Sequence, residues 1–165
     1  MFTRLTRGVW ANPSHPYFTV YSCVPKLLGD EQGYISFLTA LHLHGVISQI
    51  PNTVQVATTG HSRSLTTPIG KFEFFQLKPQ LFHYGIEQSE AYAPYFIATV
   101  EKALFDILYI ATRKSKRFRY LPELEIDSDT FNRKTFKKIL NQAACASNIH
   151  KAIAANAKQL GLIDG

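Results

Sequence analysis

The densest cluster of chemically active side chains in this sequence is a basic run that starts at the end of a predicted helix. Five cations fall within seven positions around one aromatic residue; they are Arg113, Lys114, Lys116, Arg117 and Arg119. Cations this close repel one another, and phosphates or an acidic partner would relieve that repulsion. A solvated helix end would also accommodate them, because cations suit the negative end of a helix dipole. The two interpretations are compatible, and both stay open.

A second, weaker cationic site lies in the polar segment 59–68. It contains His61 and Arg63. Polar residues between two runs of alternating apolar residues are typical of a surface loop. A plain loop is the simpler interpretation, and a contribution from Arg63 to an anionic site is the functional one.

No pattern in the sequence assembles a catalytic or metal site. His42 and His44 would point about 200° apart on a helix of about 3.6 residues per turn, and Glu101 and Asp106 would diverge by about 140°. Glu101 suits the positive end of a helix instead, and Asp106 suits a polar or capping role. The nucleotide-binding, nucleophile-elbow and zinc-binding motifs are also absent. The sequence therefore predicts a protein that is not an enzyme and holds neither metal nor cofactor.

The overall composition predicts one folded unit. The chain has 165 residues, 45% hydrophobic and 13% aromatic, with a formal charge of +6. Such a chain can bury one sizeable core, and its positive balance favours phosphate backbones or acidic protein faces. Cys23 and Cys145 form no CxxC motif and are expected as free thiols. With no long apolar run and no signal-peptide pattern, we expect a cytoplasmic protein that does not enter a membrane.

Alternating apolar and polar residues predict the strands. The sequence favours strands at 17–20, 54–58, 71–77, 81–86 and 95–98. Such short strands in succession indicate a largely antiparallel or mixed sheet.

Apolar residues at helical spacing predict the helices. One helix is expected over 34–44 with Gly45 as its stop, and another begins after Thr99 as a capping residue. Asp129 is expected to cap a third, and a fourth follows from about residue 149. The apolar stripe on the second helix consists of Val100, Leu104, Ile107, Leu108 and Ala111. Its first four residues should pack against a sheet containing Val54 and Val56. The predicted fold class is α+β, with a small mixed or antiparallel sheet against several helices.

The first dozen residues predict a short extended ribbon that ends at Asn12 and Pro13. No partner strand is evident from the pattern, so either a partner lies upstream or the ribbon adds to the main sheet. The expected organisation is a wing-like ribbon over residues 1–12, the possible remnant of a winged helix, and an α/β domain over residues 13–165.

Three fragments carry a resemblance to a known family. They are LTRGVWA from Leu5 to Ala11, YISFLTALHLHG from Tyr34 to Gly45, and FIATVEKALFD from Phe96 to Asp106. In this order they resemble the AbiEi family of antitoxins and transcriptional regulators in bacterial abortive-infection toxin–antitoxin systems. The resemblance extends from the ribbon to about Tyr120.

The resemblance implies an N-terminal winged helix-turn-helix followed by an α/β domain. Members of the family repress their own operon and counter a nucleotidyltransferase-like toxin. Leu5 to Ala11 would match the end of the wing, which places the recognition helix upstream of this sequence and makes Arg4 and Arg7 the wing's cations. Base edges are normally read by that helix, so contact with phosphates is the role expected here.

Two functional hypotheses follow. The first is an antitoxin-like transcriptional regulator domain that contacts DNA phosphates and a toxin partner, and the second is a protein-interaction module with incidental polyanion binding. An enzyme of nuclease type lacks an assembled acid cluster. The residues predicted to bind nucleic acid are Arg4, Arg7, Arg63, Arg113, Lys114, Lys116, Arg117 and Arg119.

Overall fold

The fold was analysed in a computed structural model, in which residues 1–113, 117–143 and 145–164 are described. Lys114 and Lys116 of the basic run lie outside these residues. The strands found in the described part are β1 (Thr3–Thr6), β2 (Val9–Ala11), β3 (Gly33–Ile35), β4 (Val54–Thr58), β5 (Arg63–Thr67), β6 (Gly70–Gln76), β7 (Ile86–Gln88) and β8 (Phe96–Ala98).

Six of these strands form one mixed sheet in the order β5-β6-β4-β3-β8-β7. β4 runs parallel to β6 and β3 runs parallel to β8, whereas the other neighbours are antiparallel. This confirms the predicted sheet class. The prediction of a loop over 59–68 is wrong, because it contains β5. That strand lies at the sheet edge with one face exposed, so most of its residues are polar. It therefore lacks the apolar alternation by which a strand is predicted.

The N-terminal ribbon is a hairpin in which β1 and β2 pair with each other, with Arg4 opposite Trp10. The ribbon therefore has a partner within its own sequence, and the expectation that it adds to the main sheet is wrong. The turn between the strands contains Gly8 at a φ of 78°, a backbone conformation that glycine adopts without steric cost. Leu5 and Ala11 are buried in the same core as the main sheet, and β1 packs near β5.

Helices pack against the sheet and against one another. In the described residues they are α1 (Val24–Leu28), α2 (Phe37–Leu43), α3 (Val100–Ala111), α4 (Arg133–Gln142) and α5 (Ser147–Gln159), with short 3-10 helices at Val20–Cys23 and Pro79–Phe82. The long buried helix α3 packs on α2, β8, α4 and α5, and α2 packs on β4. Four stripe residues of α3 are buried as expected: Val100, Leu104, Ile107 and Leu108. Val54 and Val56 of β4 are buried as well. None of the helices described reaches the length and apolar character that crossing a membrane would need.

Several element boundaries differ from the sequence prediction. The helix expected over 34–44 begins at Phe37, because Gly33–Ile35 is a central strand. The range 17–20 is not a strand, and Thr19 instead caps the 3-10 helix that follows. The range 81–86 holds the end of a 3-10 helix and the first residue of β7.

Helix caps agree with the prediction at α3 and differ at α4. The Thr99 side chain accepts a hydrogen bond from the Lys102 backbone N–H. Asn132 rather than Asp129 caps α4, accepting from the Thr135 backbone N–H at 3.0 Å. Cys23 and Cys145 are free, as expected.

Candidate nucleic-acid interface

The basic run follows α3 and is anchored to the core by Phe118. The Phe118 ring stacks on Phe37 with centroids 5.2 Å apart and planes 8° apart, and it lies 5.4 Å from Phe75. Phe118 has a φ of 60°, a left-handed conformation that a bulky residue adopts only where its surroundings hold it. The stacked rings supply that constraint, so they fix the positions at which the flanking arginines leave the core.

Two arginines of the run lie against aromatic rings. The Arg117 guanidinium lies 5.4 Å from the Phe118 ring centre, and its Nη2 donates to Glu73 Oε1 at 2.7 Å. The Arg113 guanidinium lies 5.7 Å from the ring of Tyr109. A ring beneath a guanidinium restricts its motion and orients its N–H donors.

Arg63, at the start of the edge strand β5, is held in a similar way by a carboxylate and an aromatic ring. Its Nη1 and Nη2 donate to the two carboxylate oxygens of Glu31 at 3.3 and 3.0 Å, and its guanidinium lies 4.2 Å above the Phe74 ring centre. Burial would raise the pKa of Glu31, but hydrogen bonds from Thr58 and Arg63 and the Arg63 charge bring it below its ordinary value. Glu31 therefore stays ionised and keeps Arg63 in place.

These arginines meet at a concavity that we term the serine–arginine groove, with a volume of about 580 Å³. Its polar lining comprises Ser62, Arg63, Ser64, Glu73, Gln76, Arg113 and Arg117. Arg63 comes from β5 and the other two arginines from the end of α3 and beyond it. The fold thus brings Arg63 of the second cationic site to the same concavity as Arg113 and Arg117 of the basic run, whereas His61 and Arg119 do not line it.

A larger concavity, which we term the arginine–tyrosine groove, adjoins the first at Arg113 and Arg117 and has a volume of about 970 Å³. Its polar lining comprises Arg113, Arg117, Arg119, Tyr120, Asn156 and Gln159. The two amide side chains come from α5, so the last helix forms one wall. No acidic residue is found among the described residues that line it.

The two arginines of the hairpin are placed elsewhere. Arg4 and Arg7 are both exposed, and neither lines the two grooves. Arg4 faces the same side as its cross-strand partner Trp10, which is 58% exposed. The structure therefore does not bring the hairpin cations together with the basic run.

Four polar side chains that the sequence analysis did not assemble form a buried cluster between β3 and α3. Lys102 Nζ donates to Asp106 Oδ1 and, at 2.9 Å, to the Tyr34 hydroxyl oxygen. The Tyr34 and Ser36 hydroxyls each donate to Asp106 Oδ2 at 2.7 Å. None of the four residues is more than 1% exposed, and burial, followed by the Asp106 charge, raises the pKa of Tyr34 well above its ordinary value.

The hydrogen bonds of this buried cluster connect β3, the start of α2 and α3. Its polar atoms satisfy one another, and a substrate has no solvent-exposed side chain to approach. An available sequence signal was the i, i+4 spacing of Lys102 and Asp106 within an apolar helix, since such residues lie on one face. A lysine at this position of an apolar helix requires a buried counter-charge.

Of the other acids and histidines considered from the sequence, Glu101 and His44 have structural contacts, whereas the buried His42 Nδ1 has no hydrogen-bond partner among the described residues. Glu101 Oε1 accepts from the Asn132 backbone N–H at 2.7 Å and so ties α3 to the start of α4. His44 Nε2 lies 2.8 Å from the carbonyl oxygen of Ala98. In the part of the chain that the structure describes, no three His, Cys, Asp or Glu side chains are grouped to hold a metal ion.

No protein-family model and no curated protein matches this chain. The resemblance to the AbiEi family therefore stays a prediction.

Proposed function

We propose that this chain is a non-enzymatic, antitoxin-like regulator domain of the cytoplasm that holds nucleic-acid phosphates in its two arginine-lined grooves and presents another face to a partner protein. The observation that carries the proposal is the convergence of Arg63, Arg113 and Arg117, from distant parts of the sequence, on one concavity. Arginine suits this role because its planar guanidinium matches the geometry of a phosphate.

The preorganisation of the arginines supports binding. The rings of Phe74 and Phe118 and the carboxylates of Glu31 and Glu73 orient two of the guanidinium groups before any ligand arrives. Less side-chain entropy is then lost on binding. In the serine–arginine groove, Ser62 Oγ accepts from the Gln76 backbone N–H at 2.9 Å. That bond does not use the Ser62 hydroxyl proton, which can be donated to a phosphate oxygen.

The charge balance favours weak contact with the phosphate backbone. Of the three arginines in the serine–arginine groove, Arg63 is paired with Glu31 and Arg117 with Glu73, so the excess positive charge amounts to that of Arg113. Contacts of this kind position a protein on nucleic acid and carry no sequence information directly. The expected mode is therefore salt-dependent binding that treats unrelated sequences alike.

The test is the double variant Arg113→Gln/Arg119→Gln. Each neutralised phosphate contributes about 0.9 to the slope of log affinity against log salt on duplex DNA, so the slope should flatten by about 2. Affinity should fall equally for two unrelated duplexes, measured by fluorescence anisotropy over a salt series. Folding should be unaffected, because exposed cations contribute little to stability.

The matched control is Lys134→Gln/Lys137→Gln on α4. These exposed lysines carry the same charge change and line neither groove. A slope that changes equally in both double variants would refute the groove as the binding site, because general charge would then account for the binding.

A second candidate function, a protein-interaction module, is favoured by an exposed aromatic face beside the hairpin. Its large side chains are between 58% and 73% exposed; they are Phe2, Trp10, Tyr17 and Tyr92. The rings of His15, Tyr17 and Tyr92 contact one another, with ring centres between 5.2 and 5.9 Å apart. Exposed aromatic patches of this kind mark protein interfaces. Trp10→Ala/Tyr92→Ala should abolish binding of a partner toxin, in a pull-down with that toxin, and leave the salt slope on DNA unchanged.

A further inference from the structure

Besides its cations, the arginine–tyrosine groove contains two kinds of side chain that a phosphate site alone does not require. Its cations are joined by Tyr120, which is 87% exposed, and by the amides of Asn156 and Gln159. A duplex presents phosphates outward and keeps its bases stacked and paired inside. An aromatic ring and amide groups are useful to a nucleic acid whose bases are unpaired.

Tyr120 follows Arg119 directly, so a ring and a cation leave the backbone at consecutive positions. Bases stack on aromatic side chains whatever their identity, because every base has a π face. With Arg113 and Arg119 lining the same groove, a phosphate and its neighbouring base can be bound by adjacent parts of one wall.

The opposite wall is formed by α5. Asn156 and Gln159 are three residues apart on this helix and therefore lie on the same face. An amide side chain both donates and accepts hydrogen bonds, so it can pair with the exposed edge of an unstacked base. A concavity of about 970 Å³ has the size of a small-molecule pocket, which is enough for a nucleotide.

We infer that the arginine–tyrosine groove binds single-stranded nucleic acid, with phosphates on Arg113 and Arg119 and one base stacked on Tyr120. The inference rests on the proposed function in that both require phosphate contacts from the same arginines. It adds that the ligand is single-stranded and that Tyr120 stacks on one of its bases. The same chemistry is found in single-stranded DNA and in single-stranded RNA.

The experiment compares labelled oligothymidylate, oligouridylate and a duplex of equal length, by fluorescence anisotropy at one low salt concentration. The parent protein should bind the single strands more tightly than the duplex. Tyr120→Leu should weaken single-strand binding about 5- to 150-fold, which is the effect of losing one stacked base. Duplex binding should change less than about twofold, and Tyr120→Phe should keep the affinity because the ring remains.

The control is Tyr92→Leu, which removes another exposed tyrosine that lies outside the groove. It should leave all three affinities unchanged. The relative affinities of oligothymidylate and oligouridylate identify which strand the groove prefers, and either preference supports the inference.

Two outcomes overturn the inference and are distinguishable. If the duplex binds as well as the single strands and Tyr120→Leu is neutral, single-strand binding is refuted while the salt slope can still support phosphate contact. If none of the three probes binds the parent protein, the inference and the proposed function fail together. Circular dichroism of each variant checks folding, which substitution of so exposed a side chain should not affect.

Discussion

Breaking the buried ion pair of Lys102 and Asp106 is the most direct test of how this fold is held together. The perturbation is Asp106→Asn, which preserves side-chain shape and removes the negative charge. The variant buries the Lys102 ammonium, 1% exposed, without a counter-ion. Three donors of the parent structure also lose their charged acceptor: Lys102, Tyr34 and Ser36.

The expected cost follows from that burial. Removing one partner of a buried pair costs about 3 to 5 kcal/mol, because the remaining charge is left uncompensated. A native domain has about 5 to 15 kcal/mol of stability in total, so the variant should lose a large part of it. For a chain of this size the melting temperature should fall by roughly 6 to 20 °C, at about 2 to 4 °C per kcal/mol.

Urea unfolding of the parent and three variants measures this cost. The variants are Asp106→Asn, Lys102→Met and the double variant. The double variant should be more stable than Asp106→Asn alone, because it no longer buries an unpaired ammonium and the asparagine oxygen can still accept from Tyr34 or Ser36.

The exposed pair of Arg133 and Asp164 provides the control. Asp164 is 99% exposed, so Asp164→Asn should change the free energy of unfolding by less than about 0.5 kcal/mol. The reasoning is refuted if Asp106→Asn costs less than about 1 kcal/mol, or if the double variant is no more stable than Asp106→Asn.

Two further predictions concern the same helix and its neighbour. Leu104 is fully buried, so Leu104→Ala should lower the free energy of unfolding by about 2 to 5 kcal/mol in urea titration, and a loss below about 1 kcal/mol would contradict its place in the core. Burial and then the Asp106 charge raise the pKa of Tyr34, so the folded state holds the phenolic proton more tightly than the unfolded chain. The contribution of this pKa shift to the free energy of unfolding should be fully present below about pH 10, the ordinary tyrosine value, and should be lost as the pH rises above it. Tyr34→Phe should lose less stability than the parent above this pH, and identical pH profiles would argue against a shifted Tyr34.

Local patterns were sufficient to predict α3, its Thr99 cap, β4 and the density of the basic run. A helical stripe such as Val100, Leu104 and Ile107 repeats within a few residues, and so does the alternation of Val54 and Val56. A cap requires contact between neighbours in the sequence, as between Thr99 and Lys102. These features depend on interactions that the local sequence contains.

Tertiary structure alone decided the strand character of β3 and β5, the self-pairing of the N-terminal hairpin and the composition of the grooves. β3 has three residues and becomes a strand because β4 and β8 supply its hydrogen-bonding partners. Arg63 reaches Arg113 and Arg117 only because β5 lies at the edge of the sheet near the end of α3. Tyr34 meets Asp106 in the same way, across two elements distant in the sequence. Contacts of this kind are determined by how whole elements pack, and hydrophobic periodicity within one segment carries no information about its partner.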